Sequence, residues 1–153
     1  LWGRREGVWY RVKEYYYASR RTGVQLTDQE YAAELARLAG SHRLRCVVAD
    51  PSAASFITAL RQVGYCVIKA NNDVLSGIRV TADLLKRGRI VICESCGDCL
   101  REMALYRWSE ENTGRDAPHK DNDHAMDDMR YFAATVAAGE EHTGAFCAVA
   151  RRS

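Results

Sequence analysis

The chain lacks any apolar run approaching the roughly 20 residues needed to cross a bilayer, and no secretory leader pattern is visible. A membrane-spanning helical protein is therefore excluded. An excess of one charge is also missing: 22 Lys and Arg stand against 20 Asp and Glu, a net charge of +2. So small a balance does not announce a nucleic-acid binder. No G-x-x-x-x-G-K-[ST] phosphate loop occurs, which removes a P-loop motor from this chain. Internal repeats, low-complexity tracts and linkers are absent as well. The 153 residues are then expected to form one α/β domain, 1–153, with a single real core. Leu1 opens directly in strand-like sequence, and the expectation is a chain cut from something longer.

What charge there is comes in clusters: Arg4-Arg5, Arg20-Arg21, Arg43/Arg45, Lys86-Arg87-Arg89 and Arg151-Arg152. Such clusters suit phosphates, and they suit a solvated surface equally well. Six cysteines without a leader point to reduced thiols. Cys93, Cys96 and Cys99 form C-x-x-C-x-x-C, which invites a zinc reading. A structural zinc site wants four ligands, so a distant His119, His142 or Cys147 would have to complete it. Cys46, Cys66 and Cys147 lie among apolar neighbours and read as small core residues.

Leu1-Trp2-Gly3 and Val8 to Tyr17, rich in aromatic and β-branched residues, predict a hairpin turning at Arg4 to Gly7. Thr27-Asp28-Gln29-Glu30 is a capping box opening a helix, with Tyr31, Leu35 and Leu38 on one face and Gly40 as its stop. Leu44 to Ala49 reads as a strand buried on both faces. It is followed by a helix with Phe56, Leu60 and Val63 inward and Gly64 closing it. Tyr65 to Lys69 is a further strand, Val74 to Lys86 a helix carrying Ile78 and Leu85, and Ile90 to Ile92 another strand. Helices are expected over Asp98 to Leu105 and from about Asp121 to Ala138, the last with Ala125, Met129, Phe132 and Val136 on its apolar face. Alternating strands and helices after a hairpin imply a mixed sheet with helices packed on it.

Two features could carry chemistry. Asp50 stands where a buried strand hands over to a helix, the edge where α/β sheets bind ligands, and Pro51 stops the ladder there. Capping of the next helix explains an Asp at that point as well. The second feature is Asp121-Asn122-Asp123-His124-Ala125-Met126-Asp127-Asp128. On a helix Asp123, His124 and Asp127 share a face, and hard-cation ligation competes with simple macrodipole complementarity as the explanation. Together they are more informative. One carboxylate at a strand end and another on the last helix can converge on Mg²⁺ or Mn²⁺, as two-metal phosphoryl-transfer sites do.

Asp123-His124-Ala125-Met126-Asp127-Asp128-Met129-Arg130-Tyr131 resembles the closing D-H-A-x-D-A-x-R-Y signature of phage terminase large subunits. The resemblance spans nearly the whole chain and includes Glu14-Tyr15-Tyr16-Tyr17, Val48-Ala49-Asp50-Pro51-Ser52, Asn72 to Ile78, Tyr106-Arg107-Trp108 and Ala117-Pro118-His119-Lys120. It implies a ribonuclease H-like nuclease domain that cuts concatemeric phage DNA during genome packaging. By the same resemblance Asp50, Asp127 and His124 are the catalytic residues, and Asp50 and Asp127, with Asp128 as a secondary ligand, hold the metal. Lys120, Lys86 and Arg87 are candidates for touching DNA. The implied partners are double-stranded phage DNA and, through the full-length protein, the portal and the small terminase subunit, in the bacterial host cytoplasm and away from membranes.

The departure from the family lies at the front. The family's first strand, with its catalytic Asp, precedes the hairpin strand where this chain begins. That strand is central in the ribonuclease H arrangement, between the hairpin and the strand carrying Asp50. The expectation is an incomplete two-metal site and weak or absent cleavage by this chain alone. Glu14 is expected to contact the surface or a helix rather than replace the missing Asp. The sheet would be repaired by rearrangement or by a strand from a second chain. Two other readings stand beside the nuclease: a degenerate, non-catalytic module binding DNA or packaging partners, and a zinc-binding interaction domain.

Overall fold

Leu44–Ala49 forms a strand whose side chains leave both faces of the sheet. Cys46 and Val48 join one apolar cluster, and Val47 and Ala49 join another on the opposite side. Successive strand residues point to opposite faces, so a strand apolar at consecutive positions must be covered twice. A computed structural model describes residues 1–17, 23–105, 124–139 and 146–150, with the side chains of 146–148 and 150 left out.

Among the described residues six strands make one mixed sheet. In chain order they are β1 (Trp2–Arg5), β2 (Val8–Arg11), β3 (Leu44–Ala49), β4 (Val67–Lys69), β5 (Ile90–Ile92) and β6 (Phe146–Ala150). Across the sheet the order is β4-β3-β6-β1-β2-β5. Only β1 runs against its neighbours: it is antiparallel to β2 and β6, while β3–β4, β3–β6 and β2–β5 are parallel. The carboxyl ends of the other five strands therefore share one edge.

The helices are α1 (Asp28–Ala39), α2 (Ala54–Gln62), α3 (Val74–Lys86), α4 (Gly97–Leu105) and α5 (His124–Phe132). Residues of α1 and α2 pack on Val47, Ala49 and Val67. Those of α3, α4 and α5 pack on Trp2, Trp9, Val48 and Ile90 on the other face. The capping box holds as expected, with Thr27 accepting from the Glu30 N–H and Glu30 accepting from the Thr27 N–H. Phe132 fixes α5 to the hairpin: its ring stacks on Trp2 at 4.1 Å and meets Trp9 edge-on at 5.0 Å. Offset and edge-on pairs of this kind add to plain area burial.

Several expectations are corrected. β1 runs on to Arg5, and the hairpin turns on Glu6 (φ 51°) and Gly7 (φ 80°) alone, the left-handed pair a two-residue loop demands. β2 stops at Arg11 instead of continuing to Tyr17. Past that point β5 has ended, and the Val12 backbone bonds to the Leu1 carbonyl and the Ser95 hydroxyl. Val63 is 63% exposed and Cys66 is exposed, because α2 ends at Gln62 and the chain turns outward there. The last helix is α-helical only to Phe132 and π-helical over Ala133–Ala137, where the Thr135 hydroxyl accepts the Asn71 N–H at 2.9 Å. A π turn is a local widening typical of points where a helix is pinned by a specific contact.

No element is anticipated beyond residue 138, yet β6 lies there, paired in parallel with β3 from Leu44↔Phe146 to Ala49↔Ala150. It also meets β1 at Trp2↔Cys147. This is the place the ribonuclease H arrangement gives to its central strand. β6 thus lies between β3 and β1 and joins the two halves of the sheet.

Candidate functional site

Asp50 follows the last residue of β3 and does not cap α2. That helix starts from Ala53 without a side-chain cap. Instead, Asp50 Oδ1 accepts from the Ser52 N–H at 2.8 Å and the Ser52 hydroxyl at 2.7 Å, a tight turn that fixes the carboxylate. Its Oδ2 accepts from the Tyr131 hydroxyl at 2.8 Å. Tyr131 belongs to α5, one turn along from Asp127, and burial pushes its phenol up to about 12. The hydrogen bond to Asp50 and the charges of Asp50 and Asp127 push in the same direction. The phenol thus stays a donor to Asp50.

Asp127 is oriented from the other side. Arg130 donates to Asp127 Oδ1 from Nη2 at 2.9 Å and to the Asp73 carbonyl from Nη1 at 3.4 Å. The Arg130 guanidinium lies 4.7 Å over the Tyr131 ring, and the residue is only 5% exposed. Asp73 caps α3, accepting from the Ser76 N–H at 2.7 Å. The carboxyl edge of the sheet thus gathers Asp50, Asp127, Arg130, Tyr131 and the start of α3 within one set of contacts.

Two carboxylates supply hard oxygen donors, and Mg²⁺ is commonly held by one or two carboxylates with water and phosphate completing its shell. The donor set therefore fits one such ion. Among the described residues, no group of three or more His, Cys, Asp or Glu side chains is placed to share a metal.

Against known structures, the chain is similar to the large terminase of the thermophilic bacteriophage D6E in complex with ADP. The identity is 45% and the TM-score 0.87, over 90% of this chain and 36% of that one. A second crystal structure of the same terminase gives 46% identity and a TM-score of 0.85 over 88% and 35% of the two chains. The chain belongs to the phage large-terminase family. It spans about a third of the length of the terminases it matches. No family model matches the chain, and neither does any curated protein.

Within this terminase segment the other expected site residues go elsewhere. Asp128, one residue past Asp127, is turned about 100° round the helix, toward the sheet. There it pairs with the buried Arg11 of β2 at 3.0 Å, and the structure does not bring it to Asp50. His124 lines a cavity of about 110 Å³ with Arg11, Glu14, Tyr16 and Asp128, its ring 6.4 Å from Tyr16 and its Nδ1 buried without a hydrogen-bond partner among the described residues. Lys86 and Arg87 close the far end of α3, about 20 Å from its Asp73 end at 1.5 Å per residue. Arg87 there pairs with Asp83 at 2.9 Å. Lys120, His119, His142, Asp121, Asp123 and the Arg20-Arg21 and Arg151-Arg152 clusters lie outside the described residues.

Glu14 does contact a helix, as expected. Its carboxylate accepts from the N–H groups of Asp98 at 2.6 Å and Cys99 at 3.2 Å, capping α4. Glu102 on α4 then repeats the device, accepting from the Ala125 N–H at the start of α5 at 2.6 Å and from the Tyr16 hydroxyl at 2.7 Å. Helix starts expose unsatisfied donors, so a buried carboxylate at each start is well matched. Neither role is written in local sequence.

Of the cysteine run, Cys96 and Cys99 pack in the core, while Cys93 is partly exposed. Cys96 donates to the Arg11 carbonyl at 3.3 Å, Cys99 is fully buried, and burial pushes the Cys99 thiol up to about 11. Thiolates do the reacting, so the native protein should alkylate at Cys66 well before Cys96 or Cys99. Peptide mapping after brief iodoacetamide treatment checks this. Equal modification of Cys99 and Cys66 would contradict the packing.

Proposed function

We propose that this segment is the nuclease portion of a DNA-packaging terminase, a metal-dependent endonuclease acting on concatemeric double-stranded phage DNA. The reading rests on one observation above all: Asp50 and Asp127, from a strand end and the last helix, are held by the adjoining Tyr131 and Arg130 at the ligand-binding edge of the sheet. These two carboxylates would hold Mg²⁺ or Mn²⁺. Bound there, such an ion supplies Lewis-acid stabilisation of a phosphodiester and lowers the pKa of attacking water. Tyr131 keeps its proton and fixes Asp50, and Arg130 fixes Asp127. His124, which lines the cavity beside Asp128, would assist metal or substrate, the role the family resemblance gives it. The portal, the small subunit and the host cytoplasm belong to the same proposal through the full-length protein.

A second reading has one observation in its favour. β6 occupies the central place of the sheet and carries no acidic residue over Phe146–Ala150. A segment of this make-up would bind DNA or packaging partners without cutting. Incubation with supercoiled plasmid separates the two. The nuclease reading expects slow nicking in Mn²⁺ that stops in EDTA. Plasmid retention without nicking supports the non-catalytic module, and nicking that persists in EDTA overturns the metal requirement.

A further inference from the structure

The dipeptide Arg130-Tyr131 touches both candidate carboxylates while being almost wholly buried itself. We infer that Arg130 and Tyr131 are positioning residues of the metal site, and that Gly77 on α3 is the seat that allows Arg130 to lie where it holds Asp127. The inference deepens the proposed function and rests on it.

The geometry of Arg130 is fixed from three sides. Its guanidinium is flanked by the Tyr131 ring and donates to the carbonyl that ends the cap of α3. Its stem lies against Gly77. A Cβ built on Gly77 would stand 2.5 Å from Arg130 Cγ and 2.9 Å from Cδ. Both are stem atoms rather than the free tip of the chain, and the residue is too buried to swing outward. Gly77 has ordinary helical backbone and needs no left-handed freedom, so close approach is what this position requires. A methyl group there would displace Arg130, and Asp127 would lose the Arg130 donor without being touched. Residues that orient metal ligands by hydrogen bonds commonly weaken metal affinity ten- to a hundredfold when removed.

Mn²⁺ titration of the chain, followed by the loss of the free-ion paramagnetic resonance signal, tests this beside thermal melts. Tyr131→Phe, which removes one oxygen, is expected to bind Mn²⁺ about 10 to 100 times more weakly with its melting transition intact. Gly77→Ala and Arg130→Gln should weaken Mn²⁺ binding among the folded molecules to a similar extent while also lowering the melting temperature, since one crowds and the other removes a buried, paired guanidinium, and Arg130→Lys, which restores the charge without the fork, should recover only part of the affinity. If Asp127→Ala abolishes Mn²⁺ binding while Tyr131→Phe, Gly77→Ala and Arg130→Gln all bind like the parent, the positioning roles are wrong and the site stands. Full Mn²⁺ binding by Asp127→Ala, or none by the parent, overturns the site and the inference together. A purely structural role would lower the melting temperature in proportion and leave affinity among the folded molecules unchanged.

Discussion

Asp127→Asn should reduce Mn²⁺-dependent plasmid nicking by about a thousandfold while leaving the protein folded. A bound ion contributes several kcal/mol of transition-state charge stabilisation, and about 1.4 kcal/mol corresponds to each factor of ten in rate. Losing one of two anionic ligands removes most of that contribution. The amide keeps an oxygen for the Arg130 donor at 2.9 Å, so the contact that seats Arg130 survives and the loss is one of charge. Asp50→Asn should have a similar effect, and the double variant should fall little further, because ligands of one ion act as a unit. Asp83→Asn, at the exposed ion pair on α3, is the matched control and should nick like the parent. Gel quantification of nicked circles at fixed Mn²⁺ decides it. Nicking by Asp127→Asn within about threefold of the parent would remove this acid from the chemistry.

Residues 44–50 show how far local sequence reaches. A doubly buried strand, its stop at Pro51 and an acid at the carboxyl edge follow from adjacent residues, and the structure has each of them. The apolar face of α5 and the π turn after it is equally local, and Ala125, Met129, Phe132 and Val136 are all buried. The capping explanation of Asp50 gives way for a reason no neighbour reveals: its partner Tyr131 is 81 residues away. Asp128 looks like one more acid on an acidic helix until Arg11 is placed opposite it by the β2–β1–β6 pairing. The strand that closes the sheet is the extreme case. Phe146–Ala150 is short and weakly patterned, and its place is fixed by a slot built from residues a hundred positions earlier. Arg130 and Tyr131 stand in plain view at the end of the signature, but a buried Arg next to a Tyr acquires a function only once the third residue, Gly77, is known to lie beneath it.

Arg11→Met is expected to destabilise the chain by about 3–5 kcal/mol, a fall in Tm on the order of 10 °C for a domain of this size. Arg11 is 4% exposed and lies 5.8 Å from the Trp2 ring, and methionine retains most of that packing. What it removes is the only cation that the described ion pairs place on Asp128, at 3.0 Å, and on Glu14, at 3.5 Å. Burial pulls the Arg11 pKa down, but the carboxylate of Asp128, with Cys99 and Glu14, outweighs it and holds the guanidinium above its ordinary value. For Asp128 burial wins and raises the pKa, with Arg11 opposing. A carboxyl raised in the folded state contributes stability below its unfolded pKa and loses it as pH rises through the folded value. Without Arg11 that folded value climbs further, so the deficit of Arg11→Met should be largest near neutral pH and shrink on acidification as Asp128 takes up its proton. Adding Asp128→Leu should recover part of the loss, because an apolar pair replaces an orphaned charge. Urea melts of the three variants at two pH values measure each step. A deficit that is constant with pH would mean that lost packing, not the unpaired carboxylates, sets the cost.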